Sequence, residues 1–166
     1  MDADLLEELY HKYYGPAVLY CLALCGEEHL AQDLASDAFV KAYLSLPNNV
    51  PTFRYWLLRV CKNLWVDHLR RKKWEASSEQ LEFISIPETP ETTYLTQERS
   101  RFLWMAIAEL PSLDRELLTL HYFSGLSLQE TAVILGKSYD ATRQRLVRLR
   151  QKLKQRMEEF GYGELE

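Results

Sequence analysis

Apolar residues recur along this chain at the three-and-four spacing of helices, and nowhere do they alternate as a strand requires. Leu5, Leu9, Tyr13, Val18 and Leu22 place a first helix over Asp4–Leu24 as candidate core residues. Gly15-Pro16 should interrupt or kink it, because proline lacks an amide donor and crowds the turn before it. Gly26 closes it. Leu30, Leu34, Phe39, Tyr43 and Leu46 predict a second helix over Glu28–Leu46, and Pro47-Asn48-Asn49-Val50-Pro51 a loop. Thr52 is placed to cap a third helix reaching about Lys73 through Trp56, Leu57, Val60, Leu64 and Leu69. Trp74 to Thr96 has no sustained period and reads as a linker, with a short turn near Leu81. It exceeds an ordinary loop, so it either joins two domains or has its own task. Arg99–Leu110 reads as a helix ended by Pro111, and Ser112 as the cap of another over Leu113–Phe123. The expected fold is all-α. Two helical domains, residues 1–74 and 98–166, are joined by a flexible acidic linker, residues 75–97.

The densest local signal is GLSLQETAVILGKSYDATRQRLVRLRQKL, from Gly125 to Leu153. Ser127 and Glu130 form an S-x-x-E capping box, which starts a helix at Leu128. Leu128, Ala132 and Leu135 give it an apolar face, and Gly136 stops it. Ser138 is placed to cap the next helix, with Asp140 suiting the dipole of its first turn. This is the helix-turn-helix plan, whose second helix enters the DNA major groove. With Leu146 at the centre of the buried face and about 100° per residue, Thr142, Leu149 and Leu153 fall on the same side. Asp140, Ala141, Gln144, Val147, Arg148 and Gln151 fall opposite, and Arg143 and Arg145 on the flanks. Gln144 and Arg148 are then placed to read bases, and Arg143 and Arg145 to hold phosphates. An amphipathic surface helix with solvated charge is the plainer alternative.

A net charge of −4 suits a nucleic-acid binder only once it is mapped. The first 37 residues hold eight acids against one base, Lys12. Arg70-Arg71-Lys72-Lys73 is a basic run, Glu75 to Glu98 holds six acids and no base, and Lys137 to Arg156 holds eight bases and one acid. Such segregation provides basic surfaces for one partner and acidic surfaces for another, or for the same partner's basic parts. The 166 residues hold one ordinary domain or two small ones, and no apolar run is long enough for membrane insertion. The acidic, amphipathic N-terminus is neither a signal nor a transit peptide, so a cytoplasmic location is expected. Cys21, Cys25 and Cys61 read as reduced core thiols rather than a disulfide or, with His29, a metal site. No metal or cofactor is expected.

HLAQDLASDAFVKAYLSL, then FRYWLLRVCKNLWVDHLRRKK, then the helix-turn-helix segment, follow one another in this order with a linker between. The D-L-x-x-[DE]-x-F stretch (Asp33, Leu34, Asp37, Phe39) and the F-x-x-W-L-x-x-[IV]-x-x-N-x-x-x-D stretch (Phe53, Trp56, Leu57, Val60, Asn63, Asp67) carry a resemblance covering nearly the whole chain. The chain resembles bacterial extracytoplasmic-function sigma factors, the two-domain group of the sigma-70 family. The resemblance implies a non-enzymatic subunit that binds core RNA polymerase, through its clamp helices and flap, and directs it to promoter DNA. It also implies an anti-sigma factor as partner. Gln32, Asp33, Ser36, Asp37 and Lys41 would face polymerase. Asn48 and Asn49 in the loop, with Arg54, Arg59, Lys62, Asn63, Arg70 and Arg71, would serve recognition and melting of the −10 element. Phe53, Trp56 and Trp65 are candidates for base stacking, although helical spacing suits Phe53 and Trp56 to the core; Asn63 and Asp67 share a face and are placed to bond each other or the loop. Ser138, Asp140, Ala141, Arg143, Gln144, Arg145, Val147 and Arg148 would serve the −35 element. The acidic linker is either a tether or a chain suited to the basic walls of the RNA path.

The chain departs from the family pattern in places. Its loop between the second and third helices is short, Ser36 stands where Gln is common, Thr142 where a buried Val is common, and Asp140 and Ala141 are unusual. A stand-alone helix-turn-helix regulator is the alternative, but it has no need of the Asp33–Asp67 pattern. An enzyme built on the thiols and histidines is the third reading. Against it, the sequence has no Gly-rich phosphate loop, nucleophile motif or clustered acid–base pair.

Overall fold

The computed structural model describes residues 1–48, 52–75, 102 and 105–161. Among them every regular element is helical: α1 (Ala3–Cys25), α2 (Glu28–Ser45), α3 (Phe53–Glu75), α4 (Ser112–Leu118) running into a π turn (Thr119–Phe123), α5 (Leu128–Leu135) and α6 (Tyr139–Glu159). Residues 105–108 are also helical. The linker, residues 76–97, the turn near Leu81, and most of the 99–104 part of the expected fourth helix lie outside the described residues.

Asp2 opens α1 by accepting from the Asp4 amide at 3.1 Å, and Gly26 ends it with its own amide on the Leu22 carbonyl at 2.8 Å. The helix continues through Gly15-Pro16 without interruption. An interior proline costs about 3 kcal/mol. Burial of the following turns offsets this: Ala17 and all six residues from Tyr20 to Cys25 are buried. A helix apolar on every side must be enclosed on every side. The end of α1 meets α2, α3, α4 and the π turn, and so is the hub of the molecule.

Against this hub α2 lays a stripe of small residues, Ala31, Ala35, Ala38 and Ala42, with Leu34 and Phe39 beside them. Tyr43, one of the positions whose spacing predicts α2, is 49% exposed, because it lies one residue past Ala42 and so turns off the stripe. Leu69 of α3 is exposed too, whereas Phe53, Leu57, Leu58, Cys61 and Trp65 are buried. A hydrogen bond between the thiols of Cys21 on α1 and Cys61 on α3, together with burial, pushes the Cys21 thiol well up. The three cysteines are buried and free, as expected of core thiols.

In the C-terminal part, Ser112 is the first helical residue of α4 and not its cap. Extended Pro111 precedes it, and the Pro111 carbonyl takes the amides of Asp114 and Arg115 at 3.0 and 3.1 Å. The π turn follows without a break. It ends as the Ser124 amide reaches the Thr119 carbonyl at 2.9 Å, and His121 Nδ1 lies 2.9 Å from the Leu126 carbonyl. The two domains meet: α1 contacts α4 and the π turn, and α3 contacts α5, so one buried core runs through both.

The capping box is present in full. Ser127 Oγ accepts from the Glu130 amide at 3.1 Å, and Glu130 Oε1 from the Ser127 amide at 3.0 Å. Ser127→Ala removes one of these bonds and should destabilise the protein by about 1 kcal/mol, within the usual capping range. Urea denaturation followed by circular dichroism should show a lower midpoint with an unchanged slope.

Candidate nucleic-acid interface

Gly136 separates α5 from α6 in the left-handed conformation, φ 67°, where a side chain would be strained. Ser138 Oγ then caps α6 by accepting from the Ala141 amide at 3.1 Å. Thr142, Leu146, Leu149 and Leu153 are buried, and Met157 extends the stripe. Thr142 is only 1% exposed, and its hydroxyl donates to the Ser138 carbonyl at 2.8 Å, so a polar side chain fits here without an unpaired group.

Asp140, Ala141, Gln144, Val147, Arg148 and Gln151 are all exposed, as is Arg143 on one flank. Arg145, on the other flank, is tied back to the body: its Nε lies 2.5 Å from Asp114 Oδ1 on α4. Arg150 bonds the Tyr122 hydroxyl and lies over its ring. Arg156 pairs with Glu109 at 2.9 Å and Glu159 at 2.6 Å, which holds the Glu109 carboxyl below the usual range and raises the guanidinium. Apart from the Arg156–Glu159 pair within α6, these tethers join residues far apart in the chain and are not written in the α6 pattern itself.

The residues expected to serve the −10 element divide between two faces of α3. Arg59, Asn63 and Arg70 lie along one exposed side, and Arg71, also exposed, is turned about 100° from Arg70. Arg59 stacks over the Tyr55 ring, and Arg70 sits 3.8 Å from Asp67, so Asp67 is paired with Arg70. Arg54 and Lys62 are spaced to share another stripe with buried Leu58, and it faces the C-terminal domain. Arg54 Nη1 donates to the Gly125 carbonyl at 3.4 Å and lies over the Tyr13 ring. Lys62 Nζ lies 2.8 Å from Glu116 Oε1. Asn48 Oδ1 accepts from the Asp2 amide at 2.6 Å, which ties the start of the loop to the start of α1. Asn49 lies outside the described residues. Of the aromatic candidates, Phe53 is packed among Tyr13, Phe39 and Trp56, Trp65 is buried and stacked on His68, and Trp56 is half-buried.

On α2, Asp33, Ser36, Asp37 and Lys41 are exposed and Gln32 is half-buried. Beside them lies an apolar groove between α1 and α2, lined by Leu6, Tyr10, Phe39, Val40 and Tyr43, with Ser36 on its edge. The exposure of Val40, Tyr43 and Leu44 makes this a patch with an apolar half that the charged positions alone did not reveal. The signal was available: these residues belong to a helix with more apolar positions than one buried stripe needs.

Two family models match this chain. Sigma-70 region 2 covers residues 9–75, and sigma-70 region 4 covers residues 102–153. The chain is 31% identical over 156 residues to the RNA polymerase sigma factor SigZ of Bacillus subtilis, covering 92% of this chain and 87% of SigZ. It is 28% identical over 151 residues to the ECF RNA polymerase sigma factor SigM of the same organism, covering 90% of this chain and 93% of SigM. Its fold is similar to that of the sigma factor RpoE, solved in complex with the anti-sigma factor NepR from Bartonella quintana. There the TM-score is 0.73 at 21% identity, over 95% of this chain and 98% of that one. A stand-alone regulator is not favoured, because the region 2 match accounts for the N-terminal helices that such a protein would not need. With both regions in series and relatives aligned along almost their whole length, this chain belongs to the extracytoplasmic-function sigma factors of the sigma-70 family, and it directs promoter-specific transcription initiation by RNA polymerase.

Proposed function

We propose how the surfaces described above share that work. The C-terminal domain, residues 98–166, reads the −35 element with the exposed side of α6: Asp140, Ala141, Gln144, Val147 and Arg148. Arg143 holds backbone phosphate, Ser138 fixes the start of the helix, and Arg145 reaches phosphate only by leaving Asp114. The observation that carries this reading is the division of α6 into a buried stripe and an exposed polar face that includes two untethered arginines, Arg143 and Arg148. Bidentate arginine is the commonest reader of guanine in the major groove.

The N-terminal domain, residues 1–74, binds the clamp helices of core polymerase through Gln32, Asp33, Ser36, Asp37 and Lys41. The neighbouring Val40 and Tyr43 supply the apolar contact that such an interface needs at its centre. Arg59, Asn63, Arg70 and Arg71 line the side of α3 that follows the −10 strand, joined by Arg54 and Lys62 and by Asn48 and Asn49 of the loop. The protein itself is not a catalyst in this scheme; polymerase performs the chemistry. An anti-sigma factor is its expected regulator, as the relative RpoE was solved with one. A cytoplasmic location accords with these partners, and no described helix is long and apolar enough to cross a membrane.

Arg148→Ala should cost about 1–3 kcal/mol in −35 binding and relax specificity at one base pair. Arg143→Ala should weaken all sites alike. Binding-site selection with both variants distinguishes these outcomes, and unchanged discrimination in Arg148→Ala would reassign the reading face. Reversing the charge of Asp33 and Asp37 together should abolish assembly with core polymerase in a pull-down while circular dichroism stays native. Permanganate footprinting should show open thymines near the −10 element only with core polymerase present. Tight sequence-specific binding by the free chain, with no stimulation of transcription by added core, would defeat this division of labour.

A further inference from the structure

The stretch from Lys137 to Arg156 carries eight bases and a single acid, Asp140. Asp140 is the second residue of α6 and is exposed. At about 100° per residue it lies within about 40° of Gln144, Val147 and Gln151 on the outward face. The buried stripe through Leu146 falls on the other side of the helix. The helix does not need this acid as its cap, because Ser138 Oγ already takes the Ala141 amide at 3.1 Å. Nor does a neighbour engage it: among the described residues Asp140 makes no hydrogen bond or ion pair, although Arg143 stands three residues further on. A carboxylate in the first turn suits the helix dipole from any side of the helix. On the outward side it also faces whatever α6 is laid against.

The N-terminal residues of a recognition helix are those that reach base edges in the major groove. An ionised carboxylate placed there has acceptors only. Guanine meets it with N7 and O6 and thymine with O4, all acceptors, so both repel it. Adenine sets an acceptor beside its one donor. Cytosine offers its N4 amino donor with no acceptor of its own beside it. We propose that Asp140 reads a cytosine in the −35 element, and that it discriminates mainly by repelling the other bases at that pair. The inference rests on the reading of the exposed side of α6 as the −35 contact. DNA phosphates repel an acid at every sequence, so Asp140 adds nothing to general affinity. Only a site whose base donates to it recovers that loss, and penalising competitors in this way is a route to specificity. Eight residues of helix rise about 12 Å, more than one base-pair step of about 3.4 Å, so Asp140 and Arg148 fall on different pairs.

The test uses holoenzyme assembled from core polymerase and the full chain as wild type, Asp140→Asn, Asp140→Ala or Arg148→Ala. Each selects from a duplex library randomised across the −35 region, ahead of a −10 element that the wild type opens. Wild type should favour cytosine about tenfold at one base pair. Asp140→Asn should move that preference to adenine, because a carboxamide bonds adenine N6 and N7 together. Asp140→Ala should flatten the preference to less than about twofold and bind the disfavoured sites about threefold more tightly than wild type does. Arg148→Ala should relax a different pair and leave this one intact. A role confined to the helix dipole would move stability and not base preference. No cytosine preference in the wild type, or the same preference retained in both Asp140 variants, would overturn the inference; if Arg148→Ala still relaxes its own pair, the reading of α6 stands without it. Selection unchanged in all three variants would overturn the reading of α6 and the inference together. If Asp140→Ala loses helical signal in circular dichroism, Asp140→Asn, which keeps the side chain's shape, decides between the same outcomes.

Discussion

A carboxylate withdrawn from water has to be met by donors, and the partners that meet Glu116 lie on the other half of the molecule. That requirement joins α4 to α1 and α3. Taking one partner from a buried ion pair costs about 3–5 kcal/mol where both groups are fully desolvated. Here the cost is smaller, because Lys62 keeps 27% of its side chain in water. The pair therefore serves register more than strength. It selects one way of placing a C-terminal domain on the apolar end of α1, a surface that by itself would accept many.

The second organising principle is how α6 distributes its cations. Arg145 and Arg156 are eleven residues apart and share a flank, where Asp114 and Glu109 take them. Arg150 leans on Tyr122. Arg143 and Arg148 are the arginines of α6 left exposed and untethered, with Lys152 and Lys154 exposed beyond them. A chain with net charge −4 can thus present a basic face, because Asp114, Glu109 and Glu159 take the arginines of one flank and leave Arg143 and Arg148 exposed.

Local physics explains which parts were legible in the sequence. The capping box at Ser127, the cap at Ser138, the stop at Gly136 and the stripe centred on Leu146 each depend on residues within a turn or two, and period and hydrogen-bonding chemistry determine them. Tyr43 and Leu69 lie in the helices that their spacing predicts and yet are exposed, because period alone does not say where a buried stripe ends. The passage through Pro16 depends on the burial of Ala17 to Cys25, a tertiary effect. The π turn has no compositional mark that we recognise. The contact of Tyr20 with Glu116 joins residues 96 apart, beyond any periodic pattern. One clue lay in plain view: Tyr20 to Cys25 is apolar without interruption, more than α2 and α3 alone would need to cover.

That uninterrupted run has a consequence for how the chain is made. Synthesis delivers α1, α2 and α3 first, and Glu116 follows Tyr20 by 96 residues. At typical translation rates of about 5–20 residues per second, the gap lasts about 5–20 s. Throughout it, the nascent N-terminal helices carry an apolar flank whose cover has not yet left the ribosome. The segment most in need of a chaperone is therefore one made well before the residues that cover it.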